Sequence, residues 1–449
     1  MKMRYGSVDY QSRGRMITDT SSPPPAPSFS EALRVWARIG VLSFGGPAGQ
    51  IALMHRVLVD ERRWLDETRF LSALNFCMLL PGPEAMQLAT YAGWRLHGVA
   101  GGLAAGLLFV LPGALVILAL GLLYGASGQV PLVTALFLGI KAAVLAIIIE
   151  ALLRVARRAL RGRMDWAIAG AAFVALFLFD VPFPIVVAAA LAVGFLSSRG
   201  QTPGENAVRP AAVPVRETIK TISLWLAIWI VPLLLVTLAF GPSHVLSQLA
   251  WFYSKLAVVT FGGAYAVLSY MAQQVVEGYG WLTPGEMLDA LGLAETTPGP
   301  LILVTEFVGV LAGWRHGGGP PLLMGVLGAI VTLWATFAPC FLWIFAGAPY
   351  IEWLTHEPRL SGALKAVTAA VVGVILNLTV WFALHVLFGK VDQVQTGILS
   401  LSVPELSTFQ PVLAALSVLA AILIFGFHRG IVSTLAVCAL AGLGLSYLG

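Results

Sequence analysis

The sequence predicts an all-α polytopic integral membrane protein made of two inverted-topology repeats joined by an extra transmembrane helix. Three observations carry this. Hydrophobic residues make up 58% of the 449 residues and charged residues 11%, less than half the charged share of ordinary soluble domains. Uncharged apolar stretches at 101–123, 130–149, 222–240, 366–384 and 411–427 each approach the roughly 20 residues a helix needs to cross a bilayer core. The two halves also carry the same interruptions at an offset of 217. Phe44-Gly45-Gly46-Pro47 is answered by Phe261-Gly262-Gly263, Pro81-Gly82-Pro83 by Pro298-Gly299-Pro300, and Trp64 by Trp281.

Residues 1–30 are polar, contain Ser21-Ser22-Pro23-Pro24-Pro25-Ala26-Pro27 and lack an apolar core, so they read as a disordered tail rather than a cleaved signal. The first repeat spans 31–198. Its opening segments, 32–44 and 47–58, form a pair broken at Gly-Gly-Pro. The next two, 66–80 and 84–95, would rise about 22 Å and about 18 Å as helices, short of a roughly 30 Å core. They fit discontinuous or re-entrant half-helices turning at Pro81-Gly82-Pro83, with full crossings at unusual tilt as the alternative. Spans at 101–123, 130–149, 165–179 and 182–197 complete the repeat. A polar linker, 199–221, leads to the connecting helix 222–241, and the second repeat occupies 242–449.

Basic residues set the orientation. Of 27 Lys and Arg, 21 lie at or before Lys220, and such residues mark cytoplasmic loops. Arg154, Arg157, Arg158, Arg161 and Arg163 form the densest cluster, while Arg56, Arg62, Arg63, Arg69 and Arg95, and the linker residues Arg199, Arg209, Arg216 and Lys220, point to the same side. The matching loop of the second half, Gly389-Lys390-Val391-Asp392-Gln393, has one Lys and one Asp. Removal of basic charge from that loop is expected if it faces outward, so the repeats are inverted, with the N-terminus cytoplasmic and the C-terminus periplasmic.

Gly and Pro breaks in matched segments of two repeats point to a transporter's binding site. Proline at the first helical position costs no backbone hydrogen bond, so Pro47, Pro83 and Pro300 are placed to start half-helices. The exposed first amides and the macrodipole of such helices attract anions. Gly45, Gly46, Gly82, Gly262, Gly263 and Gly299 would let an oxyanion approach the backbone. Each half-helix end would contribute up to about 2 kcal/mol in a partly buried setting. The bland alternative for any one PGP or FGG is a kink or packing contact; the duplication favours a site. Lys141 and Lys365 hold matching places in the two halves and would wall an anion path, the alternative being snorkelling to the headgroups.

Glu84, Asn75, Gln87, Glu295, Thr296 and Thr297 border the PGP turns as polar lining or coupling groups, although capping and repair of broken backbone are equally physical roles. Glu306 is a further acid in apolar surroundings, and Glu150 reads as a salt-bridge residue beside the Arg cluster. Cys77, Cys340 and Cys438 are widely spaced in apolar runs and read as core residues. His55, His97 and His316 have no metal-ligand spacing around them. No metal, cofactor or nucleic-acid partner is expected, and no catalytic constellation appears, so the chain does not read as an enzyme.

FGGP with a downstream Trp and PGP, repeated as FGG, Gly280-Trp281-Leu282 and Thr297-Pro298-Gly299-Pro300, resembles the chromate ion transporter family in its long-chain form with two homologous halves. The resemblance covers about 31 to 449. It implies a bacterial inner-membrane protein of 13 membrane segments that exports chromate and confers resistance, with sulfate as a related or competing oxyanion. Two positions depart from the family pattern: Glu295, where Gln is expected, and Ala264 after the second Gly-Gly. Both ions are tetrahedral dianions, so a sulfate carrier, or an anion channel lined by the same helix ends, stays open. The lipid bilayer is an obligatory partner and a homodimer is allowed. On this reading Lys141→Ala abolishes chromate efflux while membrane insertion, measured by fractionation, is unchanged.

Overall fold

The computed structural model describes residues 27–44, 46–127, 131–198, 214–261, 264–351, 357–397 and 399–446. Most of the expected tail and of the polar linker lies outside the described residues.

The first repeat opens with four short helical arms. α1 (Phe29–Leu42) starts on Ser28, whose hydroxyl accepts the Glu31 amide. α2 (Gly46–His55) widens into a π-helical turn at Arg56–Glu61. α3 (Glu67–Leu79) is capped by Asp66, which accepts the Arg69 amide. α4 (Glu84–Ser127) is broken at His97 and Gly98, where Gly98 takes φ 61 and ψ −152, dividing it into a short first arm and a long second one. A Cβ on Gly93 would lie 2.3 Å from the Gly101 carbonyl oxygen, so the absence of side chains lets the two arms press backbone to backbone. α5 (Pro131–Ala159), α6 (Arg163–Phe179) and α7 (Phe183–Ser197) close the repeat.

α8 (Val215–Phe240) connects the halves. It begins before the expected apolar segment because an amphipathic turn through Lys220 extends it. Its exposed Leu224, Leu235 and Leu238 form an apolar outer face suited to lipid.

The second repeat retraces the first. α9 (Val245–Val259), α10 (Ala264–Gln273) with its own π turn at Gln274–Gly278, and α11 (Pro284–Thr296), capped by Thr283, follow in order. A 3-10 turn at Leu301–Leu303 leads into α12 (Val304–His316), then α13 (Pro321–Gly347) and α14 (Pro358–Leu387). The two-stranded hairpin that follows was not anticipated: β1 (Val391–Thr396) and β2 (Leu399–Pro404) pair antiparallel, with Val391 opposite Pro404. α15 (Pro411–Ala421) and α16 (Ile431–Ser446) end the described chain. Among the described residues, five helices are long and apolar enough to cross a membrane: α4, α5, α8, α13 and α14.

The duplication extends to individual hydrogen bonds. The Arg62 and Trp64 amides donate to the Val57 and Leu58 carbonyls at 3.0 and 2.8 Å; their counterparts Tyr279 and Trp281 donate to Gln274 and Val275 at 2.7 and 2.9 Å. Between each pair the chain passes through a left-handed residue, Arg63 at φ 54 and Gly280 at φ 65.

Orientation is readable from where equivalent helices begin and end. Asp165, just beyond the end of α5, lies 3.5 Å from Lys365 near the start of α14. At the other end of α14, Trp381 Nε1 donates to Glu277 at 2.8 Å. A 30-residue helix rises about 45 Å, so α5 and α14 run in opposite directions and the repeats are inverted. The Glu31–Arg62 ion pair at 2.8 Å and the His97–Pro27 hydrogen bond at 2.8 Å gather the outer ends of the first repeat's short arms on one face.

The halves interlock. α5 packs against α15 and α16 of the second repeat, and α14 against α6 and α7 of the first.

A non-glycine residue in left-handed backbone carries roughly 1 kcal/mol of strain. Arg63→Gly is therefore expected to raise the thermal midpoint of detergent-solubilised protein slightly, or leave it unchanged. Gly280→Val, which places a β-branched side chain at φ 65, lowers it.

Candidate anion site

Broken helices leave backbone amides and carbonyls without partners, which an apolar interior makes costly. Here the two repeats supply each other. The Gly82 amide donates to the Thr260 carbonyl at 2.8 Å, and the Gly299 amide donates to the Ser43 carbonyl at 2.9 Å. Ser43 and Thr260 are themselves repeat equivalents, and each hydroxyl turns back on its own helix, to Ile39 and to Leu256, at 2.6 Å. Gly82 sits at φ 120 and Gly299 at φ 89, a backbone region that favours glycine. The Gln50 side chain adds a bond from Nε2 to the Gly299 carbonyl at 2.6 Å, and Gln87 one to the Pro81 carbonyl at 2.7 Å. Val267 and Val304 occupy the equivalent places in the second repeat, so these polar repairs belong to the first repeat alone.

Beside this junction lies a cavity of about 400 Å³. One wall comes from the short arms: Pro47, Ala48 and Ile51 of α2, Cys77 and Met78 at the end of α3, Gly82 and Glu84 entering α4, and Ala264 and Tyr265 opening α10. The facing wall is Ala151, Arg154, Val155 and Arg158 of α5, Arg161 just after it, and Lys365, Thr368 and Ile375 of α14. The starts of three half-helices thus border one space, where their first amides and dipoles favour an anion.

The charges agree with that polarity. Arg154 is paired to Glu150, and Lys365 to Asp165 at 3.5 Å with 61% of its side chain exposed. Arg158 and Arg161 make no ion pair among the described residues. Arg154 and Arg158 also line a second, wider and largely basic vestibule of about 1210 Å³ with Arg157, His428, Arg429, Glu150 and Phe44.

The expected site residues divide as follows. Pro47, Gly82, Glu84 and Lys365 border the cavity; Gly46 begins α2 at φ 69 beside it, and Pro83 leads into α4. Gly299 and Pro300 are tied into the junction instead, packed on Gly113, whose Cβ would lie 2.1 Å from the Pro298 carbonyl oxygen. Gly45, Gly262 and Gly263 lie outside the described residues. Gln87 is buried in its own turn and Asn75 faces outward from α3. Thr296 and Thr297 bond back onto α11. Glu295 is buried and accepts the Tyr265 hydroxyl at 2.5 Å. Lys141 is on the far side of the junction, 3.4 Å from Asp289, which also accepts the Tyr124 hydroxyl at 2.7 Å.

Arg154, Arg158, Arg161, Tyr265 and Asp289 were not singled out as site residues from the sequence. The arginines had a signal: their spacing puts all three on one helical face. Their charge read as orientation instead. Asp289 and Tyr265 gave none, since each matters through a partner distant in the chain.

Comparison with known proteins agrees with this architecture. The chromate transporter family profile matches residues 30–195 and 247–443, one match in each repeat. A chromate transport protein of Pseudomonas aeruginosa is 33% identical over 375 residues, covering 80% of this chain and 82% of the relative. A probable chromate transport protein of Synechococcus elongatus is 30% identical over 359 residues, 79% of this chain and 85% of the relative. The chromate transport protein of Cupriavidus metallidurans is 29% identical over 379 residues, 82% and 86% respectively. No solved structure matches the chain.

If Gln50 repairs the junction, Gln50→Leu strands the buried side of the Gly299 carbonyl at a cost of about 1–3 kcal/mol. The thermal midpoint in detergent should fall accordingly.

Proposed function

The chain belongs to the chromate transporter family, and we propose that it is a secondary carrier that exports chromate across the bacterial inner membrane, giving chromate resistance. The observation that carries this reading is the cavity where the α2, α4 and α10 starts face Arg154, Arg158, Arg161 and Lys365. A tetrahedral dianion presents oxygens in every direction, matching amides from several helix ends and guanidinium donors from the opposite wall. The basic vestibule concentrates anions at its mouth. By the positive-inside rule that mouth, with Arg154 to Arg163, faces the cytoplasm, so loading occurs from inside and transport is outward. The C-terminus then lies in the periplasm, and the short arms around the junction enter and return from one face.

Sulfate shares the shape and charge of chromate and is the competing substrate. A channel would need an open path, whereas the cavity ends at the packed Gly82–Thr260 and Gly299–Ser43 junction, which favours a carrier. The family names a transport activity, and no residue cluster in the site calls for bond chemistry.

Uptake of chromate and sulfate into everted vesicles, with and without a proton gradient, tests the assignment. Saturable chromate uptake that sulfate inhibits is expected; ohmic anion current would replace the carrier with a channel. Arg158→Ala removes one charge-assisted contact of roughly 1.5–3 kcal/mol. The half-saturating chromate concentration should therefore rise by about tenfold or more at unchanged expression.

A further inference from the structure

The two faces of the molecule are packed differently, and inverted repeats make the difference informative. Among the described residues, α2 and α3 are not packed on α5 or α14; the Arg158 guanidinium reaches Met78 Sδ at 3.5 Å, and Cys77 and Met78 line the same cavity as Lys365 and Thr368. Their equivalents are so packed. α10 packs on α14, and α11 packs along α5; a Cβ on Gly292 of α11 would lie 2.2 Å from Ile140 Cγ2 and 3.3 Å from Val144 Cγ2. The structure is open towards the Arg cluster and closed towards the opposite face.

Exchanging the packing of the two repeats gives the state open to that opposite face. The α14 positions Lys365, Thr368 and Ile375 correspond, at an offset of 224, to Lys141, Val144 and Ala151 of α5. Lys141 therefore takes the place in the second cavity that Lys365 holds in the first. In the present state Val144 is 1% exposed, and Lys141 is held by Asp289, whose side chain is 2% exposed. Tyr124 donates a second bond to the same carboxylate oxygen, Oδ2, at 2.7 Å, and Asp289 Oδ1 has no partner among the described residues. The equivalent of Asp289 in the first repeat, at the offset of 217, is Ser72, so the first repeat has no acid at that place.

We infer that Asp289 is an internal counter-anion that occupies Lys141 while the far face is closed, and that the transported oxyanion replaces it on Lys141 when that face opens. The second half of the inference rests on the carrier reading above. The exchange also thins the cationic wall: Arg154, Arg158 and Arg161 are replaced by Leu378, Phe382 and His385 at the offset of 224. The anion passes from a site with three arginines and a lysine to one where Lys141 carries the charge. Asp289 then competes with it for that lysine, which promotes release.

The test is Val144→Cys in a full-length chain whose Cys77, Cys340 and Cys438 are replaced by alanine, probed from the far face with a membrane-impermeant maleimide. Labelling should be slow, and adding Asp289→Asn should speed it by about tenfold, the population shift from losing one buried ion pair in the closed state alone. Thr368→Cys, probed from the basic face, should slow in the same variant. Unchanged labelling at both positions overturns the latch. Should Asp289→Asn not insert, Tyr124→Phe decides by the same readings with a smaller change. These rates involve no substrate, so they stand or fall separately from the carrier assignment. Chromate added at the far face should slow Val144→Cys labelling in the Asp289→Asn chain; absence of slowing overturns Lys141 as the anion's partner there.

Discussion

The organisation of this protein depends on how helix ends are satisfied in an apolar interior. A continuous membrane helix completes its own hydrogen bonding. The ends of the short arms do not, and here each repeat takes a carbonyl partner for one such amide from the other. The reciprocal bonds from Gly82 to Thr260 and from Gly299 to Ser43 meet part of that demand across the repeat boundary. They fix the two sets of arms against each other and locate the junction at the centre of the molecule. The starts of α2, α4 and α10 that this arrangement sets beside the cavity are what the anion-carrier proposal rests on.

Symmetry of backbone coexists with asymmetry of side chains, and the second property gives the site its direction. Gln50, Gln87 and Glu84 in the first repeat are matched by Val267, Val304 and Leu301 in the second, while Asp289 and Glu295 stand where the first repeat has Ser72 and Met78. The fold duplicates a framework, and substitution then assigns different work to its two copies. One face gathers arginines from the last turns of α5 around the broken arms. The other sets a half-buried lysine against a buried carboxylate that also accepts a tyrosine hydroxyl.

Much of this was legible in the sequence because the informative residues act locally. Gly-Gly, Pro-Gly-Pro and the tryptophans that follow impose their breaks through φ angles and missing amides, so the arms and the repeat could be placed directly. The loss of basic residues after Lys220 gave the inversion. Features that depend on distant partners were not legible. Arg158 borders the cavity because α5 turns that face towards arms elsewhere in the chain, and Lys141 meets Asp289 because α11 packs on α5. In the hairpin Leu399-Ser400-Leu401-Ser402-Val403 alternates as a strand does, but its partner Val391–Thr396 does not, so the pairing with Val391 opposite Pro404 could not be read from that strand alone.

The interlocking of α5 with α15 and α16, and of α14 with α6 and α7, has a bearing on biosynthesis. The first half leaves the ribosome with a long helix whose natural neighbours are still untranslated. Until α15 and α16 arrive, the face of α5 that they cover meets lipid or an insertion factor, and Gly139 lacks the Cys438 backbone that packs on it. Losing α15 and α16 would therefore uncover a helix that belongs to the half made first.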